Sequence, residues 1–390
     1  MKRILIVLSL FIFNFSLSAA GIVFDLDHMQ NRRSDPAIAD AVAGIIRDAD
    51  KQMMQPCPSV TDKKRPAPSG DKHDYFSMAR YWWPDTSKPD GLPYIRKDGK
   101  VNPEIEDLDR QNLGQMEKML RVYSLAYLYS GKEEYAEKGW DVLRTWFINK
   151  KTRMNPNMSY SQVRMGHNNN QGSNSGLLDG YSFLVVPDAV QILSSAKCTK
   201  QKDIAVIRQW FADYLQWMLT SPQGIKENDA KNNHGTAYHI QVAVYAAFVG
   251  NDSLANAYMS SFPAQRILPQ VSADGRQPQE LVRTRAFGYS CYNLKHYLDM
   301  MDICRLNGAD MMTNQEVATR IEDAIDFLVP YLGKPVSAWP FQQIADWEKE
   351  QQTLCWILYR ADRYFPDKGY KALFEQFNKS KSKDRNYLLY

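Results

Sequence analysis

Apolar residues recur at spacings of three and four along most of this 390-residue chain, a period that is typical of amphipathic α-helices. Strand-like alternation is scarce. Two segments, 126–136 and 246–255, share one pattern: an apolar helix end, a glycine stop, and a polar start that leads to alanine in the next helix. Repeated antiparallel helix pairs with short turns predict an all-α fold, an incomplete (α/α) toroid or barrel of helical hairpins.

Three long loops interrupt this helical pattern. They cover residues 56–102, 150–174 and 221–232, and loops of that length in a compact domain usually carry function. No shift in composition marks a boundary, so residues 21–390 are predicted to form a single toroid domain. The predicted helices span about residues 35–55, 103–130, 133–149, 175–195, 203–221, 233–249, 253–269, 279–307, 314–331, 347–365 and 369–378.

The first twenty residues resemble a secretory signal peptide. A basic start at Lys2 and Arg3 precedes an apolar run, 4–13, that is too short to span a bilayer, and small residues follow at 16–20. The sequence therefore predicts export, with a bacterial periplasm as the expected location. No later stretch has the unbroken apolar length of a membrane helix, so no membrane span is expected, and the mature protein is predicted to be a monomer.

Global charge does not point to a nucleic acid partner. Residues 1–20 contain two basic residues and no acid, so the formal charge falls from +4 to +2 when they are removed. Any acidic ligand must then be bound by a local cluster of basic residues. The five cysteines share no C-x-x-C spacing, which predicts no zinc site, although Cys57 and Cys198 could pair in an exported protein.

One candidate site begins with the stretch Asn232-Asn-His-Gly235, at a predicted helix start. Asn233 supplies an amide and His234 an imidazole. An N-cap asparagine and a structural histidine would explain the same residues equally simply. His234 and His239 are five apart, which suits neither a metal-binding helix face nor an H-E-x-x-H motif, so no metal and no cofactor are predicted.

A second candidate stretch, Arg283-Thr-Arg285-Ala-Phe-Gly-Tyr289, brings two guanidiniums and a phenol to the start of another predicted helix. Arg285 and Tyr289 are four apart and should share a helix face. A nearby cation favours phenolate, so the Tyr289 pKa is expected to be lowered, as a general base requires. The alternative is a solvated helix face with a half-buried tyrosine.

Two of the long loops carry candidate substrate-binding residues. Aromatic and basic side chains cluster in the first, where they could stack on sugar rings and pair with carboxylates, or could simply pack the loop down. Amide-rich sequence in the second suits either a carbohydrate site or ordinary turns. The residues concerned are Tyr81, Trp82, Trp83 and Arg96 in the first loop, and Asn157, Tyr160, Gln162, His167 and Asn170 in the second.

Taken together, these stretches resemble the alginate lyase superfamily, the group that contains polysaccharide lyase family 5. The resemblance implies a toroid with a substrate cleft across one end, and metal-free β-elimination on 1,4-linked uronate polymers. The separation of Arg283 from Tyr289 is one residue shorter than in family 5, which indicates a related side family. The matching stretches are residues 75–85, 91–96, 154–157, 232–235 and 280–283.

The resemblance also implies roles for individual residues. Asn233 and Arg283 would neutralise the substrate carboxylate, with Arg285 as the alternative to Arg283. Tyr289 would act as base and acid for one uronate epimer, and His234 would act as base for the other.

Two other functions fit the same residues. One is an inverting glycoside hydrolase on an α/α barrel, which would need a carboxylate pair. The other is a uronate-binding protein without catalytic activity, which would use the same arginines and aromatic rings. The candidate acids for a hydrolase are Glu104, Glu106, Asp107, Asp274 and Glu280.

Overall fold

A computed structural model describes residues 21–380, 382 and 384–390. The predicted signal peptide, residues 1–20, lies outside the described residues. Within them, α-helices dominate. Their bounds are α1 Leu26–Asn31, α2 Ala39–Gln52, α3 Asp109–Ser130, α4 Glu133–Leu143, α5 Val185–Leu193, α6 Gln201–Thr220, α7 Pro222–Asn228, α8 Asn233–Val249, α9 Asp252–Phe262, α10 Leu268–Gln270, α11 Pro278–Leu281, α12 Ala286–Leu306, α13 Gln315–Leu328, α14 Trp347–Ala361, α15 Tyr370–Phe377 and α16 Asn386–Leu389.

The two glycine stops read from the sequence end helices as predicted. Gly131 follows α3 with φ 70°, and Gly250 follows α8 with φ 81°, both in the left-handed region that favours glycine. Each stop turns the chain into the next helix of a hairpin, α3 into α4 and α8 into α9. Helix α8 is apolar on nearly all sides and almost entirely buried, as an inner helix must be.

The hairpins pack side by side around a common centre. Helix α3 packs against α5, α8 against α12, and α12 against α14, while α2, α4, α9, α13 and α15 pack behind them. The end of the chain returns to the beginning, because the Tyr129 hydroxyl donates to the Leu388 carbonyl (2.8 Å) and Arg32 donates to the Tyr387 carbonyl (3.2 Å). The all-α toroid of helical hairpins predicted from the sequence is therefore confirmed.

One large apolar cluster runs through the helices, and a smaller one lies beneath the long loops. The large cluster includes interlocked rings such as Phe147 and Trp210, whose centroids are 4.8 Å apart in an edge-to-face arrangement. The small cluster includes Phe76, Tyr94 and Val163, all buried. The long loops are thus packed on a core of their own, which fixes the side chains that they carry.

Short strands fasten these loops to one another. Strand β1 (Phe76–Met78) pairs in parallel with β4 (Tyr160–Val163), and β2 (Trp82–Trp83) pairs antiparallel with β3 (Ile95–Arg96). The first pairing joins the loop before α3 to the loop before α5. Both loops therefore lie at the same end of the toroid.

Three of the differences from the sequence prediction concern the candidate site and the cysteines. The helix predicted for 279–307 is broken into α11 and α12, and residues 282–285 form the break. Helix α7 lies inside the predicted loop 221–232, where Ser221 caps it and Pro222 begins it. The pairing of Cys57 with Cys198 is wrong, because both are free thiols.

The segment Asn168–Leu193 is long and apolar enough in composition to cross a membrane. However, 78% of its most apolar window is buried inside the protein. Packing in the toroid core accounts for that apolar surface.

Candidate active site

A cavity of about 460 Å³ opens where the long loops meet α8 and the break before α12. Of the described residues that line it, five are arginines and none is an aspartate or a glutamate. Arg96 and Arg110 form ion pairs with Asp98 and Asp179 outside the lining, and Arg283 lies 3.8 Å from Asp98. The lining is therefore basic mainly through Arg80 and Arg164, which have no carboxylate partner among the described residues, and it suits an anionic ligand. The lining residues are Ala79, Arg80, Tyr81, Trp82, Arg96, Arg110, Gln162, Arg164, Ser175, Leu178, Asn232, His234, Gln279, Val282, Arg283 and Tyr289.

His234 enters this cavity from the first turn of α8. The side-chain oxygen of Asn232 caps the helix and accepts from the His234 amide (3.2 Å). The imidazole is 20% exposed, and its Nδ1 donates to a carboxylate oxygen of Glu227 (2.7 Å). Burial alone would lower the His234 pKa, but the hydrogen bond to Glu227 and the charges of Glu227 and Glu280 raise it above its ordinary value.

Asn233, in contrast, lies behind the cavity wall. Its side chain is fully buried, its amide nitrogen donates to Glu280 (2.8 Å), and its backbone N–H donates to the other Glu280 oxygen (2.7 Å). Among the side-chain amides that do line the cavity is that of its neighbour Asn232. Asn233 therefore does not line the cavity, although it is next to His234. Its side-chain amide donates to Glu280 instead.

Arg283 and Tyr289 meet across the break between α11 and α12. The Arg283 guanidinium donates to the Tyr289 hydroxyl (2.8 Å) and lies 3.9 Å from the centroid of its ring. Burial raises the Tyr289 pKa to about 12, outweighing the lowering effect of the Arg283 cation. The expectation that the arginine would lower the tyrosine pKa overall is wrong, because desolvation of the phenolate costs more than the cation returns.

Arg285 points away from the cavity. Its guanidinium pairs with Asp346 (2.6 Å) and Glu350 (2.8 Å), two residues at the start of α14. The residue immediately precedes α12 and does not line the cavity. Of the two arginines proposed from the sequence, the structure brings only Arg283 together with Tyr289 and His234.

In the aromatic loop, 56–102, some of the predicted side chains line the cavity and another holds the loop in place. Tyr81, Trp82 and Arg96 line the cavity, and the Tyr81 phenol contributes to the raised pKa of Tyr289. The Trp83 indole instead donates to the Lys100 carbonyl (2.9 Å), which packs the loop down. Packing of the loop is therefore observed for Trp83, and contact of Tyr81, Trp82 and Arg96 with a sugar stays a prediction.

In the amide-rich loop, 150–174, one predicted side chain likewise lines the cavity and others hold the loop in place. Gln162 reaches the cavity, and its Nε2 donates to Asp179 (3.0 Å). Tyr160 packs half-buried against the small loop core, and the Asn157 amide lies 3.5 Å from the Asp74 carboxylate. The Asn170 side chain accepts from the Gly166 amide (2.7 Å) and so braces a turn.

His167 lines a second cavity of about 550 Å³, which adjoins the first at Arg164. Its Nε2 donates to the Tyr94 carbonyl (2.8 Å), and its ring packs edge-on against Trp82. This second cavity is lined by basic and neutral polar groups and by no carboxylate of the described residues. Its lining residues are Arg164, His167, Asn168, Gln171, Gly172, Ser173, Asn174, Pro222, Gln223 and Lys226.

Several arginines of the cavity were not among the residues predicted from the sequence. The Arg164 guanidinium stacks over Trp82, 4.8 Å from the ring centroid, and no carboxylate of the described residues pairs with it. Arg110 projects from α3 and pairs with the buried Asp179, which also accepts from Ser77 (2.8 Å). Arg164 stands two residues after Gln162 in a stretch already singled out, whereas Arg110 lies in an ordinary helical pattern that carries no signal.

Comparison with known proteins agrees with this fold. The alginate lyase family profile matches residues 59–339. The crystal structure of an alginate lyase from Bacteroides ovatus is 44% identical, with a TM-score of 0.91 over 95% of this chain and 98% of that chain. Among curated proteins, none matches this chain.

More distant structures share the fold. Alginate lyase A1-III from Sphingomonas species A1 is 15% identical, with a TM-score of 0.62 over 95% of this chain and 97% of that chain. A histidine-to-alanine variant of alginate lyase A1-III, complexed with a tetrasaccharide, is 14% identical, with a TM-score of 0.61 over 90% and 89% of the two chains.

A helical toroid of this kind, with such close similarity over nearly its whole length, defines the class: the protein is a polysaccharide lyase. The chain belongs to the alginate lyase family. This assignment favours the lyase over the hydrolase and over the non-catalytic binding protein.

Proposed function

We propose that this protein cleaves 1,4-linked uronate polymers, with alginate as the preferred candidate, by β-elimination that leaves 4,5-unsaturated uronate ends. The observation that carries this proposal is the cavity in which His234, Arg283 and Tyr289 face one space lined by five arginines and by no carboxylate of the described residues. An inverting hydrolase needs two carboxylates at its reaction centre, and that lining offers none.

The difficult step is removal of the proton at C5, because a carbon next to an ionised carboxylate is a very weak acid. A cation that pairs with the carboxylate stabilises the enolate-like dianion as it forms. Arg283 is the candidate for this role, since its Nε has no hydrogen-bond partner within the described residues. We assign Asn233 to holding Glu280 and the start of α8, and Asn232 or Gln279 to supplying the cavity amide.

Two groups are placed to move protons. A neutral His234 would take the C5 proton where that proton and O4 lie on opposite faces of the sugar, as in guluronate. The Tyr289 phenol would donate a proton to the departing O4, and its raised pKa keeps it protonated for that purpose. In mannuronate and glucuronate the C5 proton and O4 lie on the same face of the sugar. There Tyr289 would act first as phenolate base toward the C5 proton and then as acid toward O4.

The substrate would extend from the first cavity into the second. Arg164 lies at their junction, stacked on Trp82, and is free of any carboxylate partner among the described residues. Lys226 and the amides of Asn168 and Asn174 line the far side. Cationic and neutral donors of this kind suit successive uronate residues of a chain.

The proposed reaction uses side chains for proton transfer and needs no metal. The test is incubation with a metal chelator and a panel of polymannuronate, polyguluronate and glucuronan, followed by ultraviolet absorbance of the unsaturated product. Absorbance that grows in the presence of chelator supports the proposal. New reducing ends without that absorbance would instead indicate hydrolysis, and binding without turnover would indicate a uronate-binding protein.

Export to a bacterial periplasm is proposed from residues 1–20 alone. Fractionation of cells that express the full chain tests it. The expected result is a periplasmic protein that begins near Gly21, and a full-length cytoplasmic protein would contradict it.

A further inference from the structure

Glu227 is a buried carboxylate with no assigned role. Its side chain is 1% exposed, and it lies in α7, the short helix that sequence analysis missed. One oxygen accepts from Nδ1 of His234 (2.7 Å), and the other accepts from the side-chain amide of Asn174 (2.7 Å). His234 is therefore the partner that can carry a positive charge in direct contact with it.

Burying an ionised carboxylate is costly unless strong hydrogen bonds compensate for the lost water. Here the two short contacts to His234 and Asn174 provide them. A carboxylate that accepts from Nδ1–H also determines which imidazole nitrogen carries the proton in the neutral ring. It leaves the other nitrogen, Nε2, as the proton acceptor.

The surroundings of the imidazole show which charges act on it. Glu227 faces it from α7 and Glu280 from α11, and both favour the protonated ring, whereas Arg283 from the break opposes it. Arg266 lies near the end of α7, where its guanidinium donates to the carbonyls of Asn228 (2.7 Å) and Ala230 (3.0 Å). Glu227 is the only one of these groups that hydrogen-bonds to the ring.

We infer that Glu227 is a positioning residue that sets the tautomer and the basicity of His234, and so tunes the enzyme for substrates whose C5 proton and O4 lie on opposite faces. This inference rests on the proposed function for its effect on catalysis. The negative charge increases the affinity of Nε2 for the C5 proton, and the hydrogen bond orients Nε2 toward the cavity. Glu227 itself does not contact the substrate.

The test compares Glu227→Gln with the wild-type protein on polyguluronate and polymannuronate. A glutamine can still accept from Nδ1–H, but it removes the charge. We expect kcat on polyguluronate to fall by about 10- to 100-fold, a typical effect of losing such a supporting partner, with a smaller loss on polymannuronate. The acidic limb of the kcat profile on polyguluronate should move to lower pH, because the imidazole pKa falls.

Two further variants separate positioning from folding. Glu227→Asp retains the charge at a longer distance and should restore part of the pH profile. Glu137→Gln makes the same chemical change at an exposed position of α4 and should alter neither rate nor profile. Melting temperatures of all variants show whether a loss of rate reflects unfolding.

A direct measurement does not depend on activity. NMR titration of the His234 imidazole, identified by its loss in His234→Gln, should show a lower pKa in Glu227→Gln than in the wild-type protein. An unchanged pKa and an equal loss on both polymers would overturn the inference and leave Glu227 a scaffold residue. If the wild-type protein gives no unsaturated product, the proposed function fails, but the titration still decides the role of Glu227.

Discussion

The two groups proposed to transfer protons lie in opposite electrostatic surroundings. His234, at the start of α8, faces the carboxylates of Glu227 and Glu280. Tyr289, in the first turn of α12, faces the guanidinium of Arg283. Both pKa values are nevertheless raised, that of His234 by the anions against burial and that of Tyr289 by burial against the cation.

The comparison indicates a division of labour. An imidazole with a raised pKa is a stronger base once it is neutral, whereas a phenol with a pKa of about 12 stays protonated at neutral pH and can donate. The histidine side therefore suits proton removal, and the tyrosine side suits protonation of O4. Phenolate chemistry at Tyr289 depends on the Arg283 cation, which must offset part of the burial cost when substrate is bound.

The largest expected effect is that of Tyr289→Phe, because it removes the acid for every substrate. We expect kcat to fall by about 10³-fold on polymannuronate and on polyguluronate, within the range for loss of a general acid. Initial rates of absorbance growth measure it. Full activity on either polymer would show that Tyr289 is not the acid for that polymer.

Arg283 and Arg285 form a matched pair for the next effect. Arg283→Met should lower kcat by about 10²-fold, as expected for loss of a group that stabilises developing charge. Arg285→Met should instead leave the chemistry nearly intact but destabilise the fold by about 1–3 kcal/mol, because it leaves the mostly buried Glu350 carboxylate without its partner. Rates and urea unfolding of both variants separate the two roles, and the reverse pattern would exchange the assignments.

His234→Gln should discriminate between substrates. We expect a loss of about 10²-fold on polyguluronate and a clearly smaller loss on polymannuronate, where Tyr289 serves as base. In the wild-type protein, kcat on polyguluronate should rise as pH increases through the His234 pKa, which lies above the ordinary imidazole value of 6.5. Rate profiles from pH 5 to 9 check this. Equal losses on both polymers would contradict the assignment of His234 as base for polyguluronate and of Tyr289 as base for polymannuronate.

The smallest expected effect concerns the second cavity. Lys226→Met should raise KM for long uronate oligomers by about two- to fivefold, since an exposed ion pair contributes about 1 kcal/mol or less, and should leave kcat unchanged. Oligomers too short to span both cavities should show no change. The remote variant Lys202→Met is the control. An equal change in KM for short and long oligomers would place Lys226 outside the substrate path.

The features that the sequence predicted are those that depend on local patterns along the chain. Helix period and the stops at Gly131 and Gly250 predicted the toroid, and the motifs that contain His234, Arg283 and Tyr289 predicted the cleft. Sequence spacing could not show that 282–285 breaks the helix.

The sequence also could not show which candidate residues line the cavity and which pack against other elements. Asn233 lies buried against Glu280, and Arg285 lies against Glu350, because tertiary contacts from α11 and α14 decide where each side chain points. The sign of the Tyr289 pKa shift was likewise beyond local reasoning, because burial is a property of the folded protein. Glu227 and Arg164 had no motif of their own.

Three consecutive asparagines at the edge of the second cavity, Asn168, Asn169 and Asn170, have φ values of 46°, 52° and 57°. Asparagine tolerates this left-handed region better than most residues, yet a run of three is held only because surrounding bonds determine it. One of these is the hydrogen bond that the Gly166 backbone N–H donates to the Asn170 side-chain oxygen (2.7 Å). For the proposed path of the substrate across the second cavity, a rim already held in this shape would lower the entropy cost of binding a uronate chain.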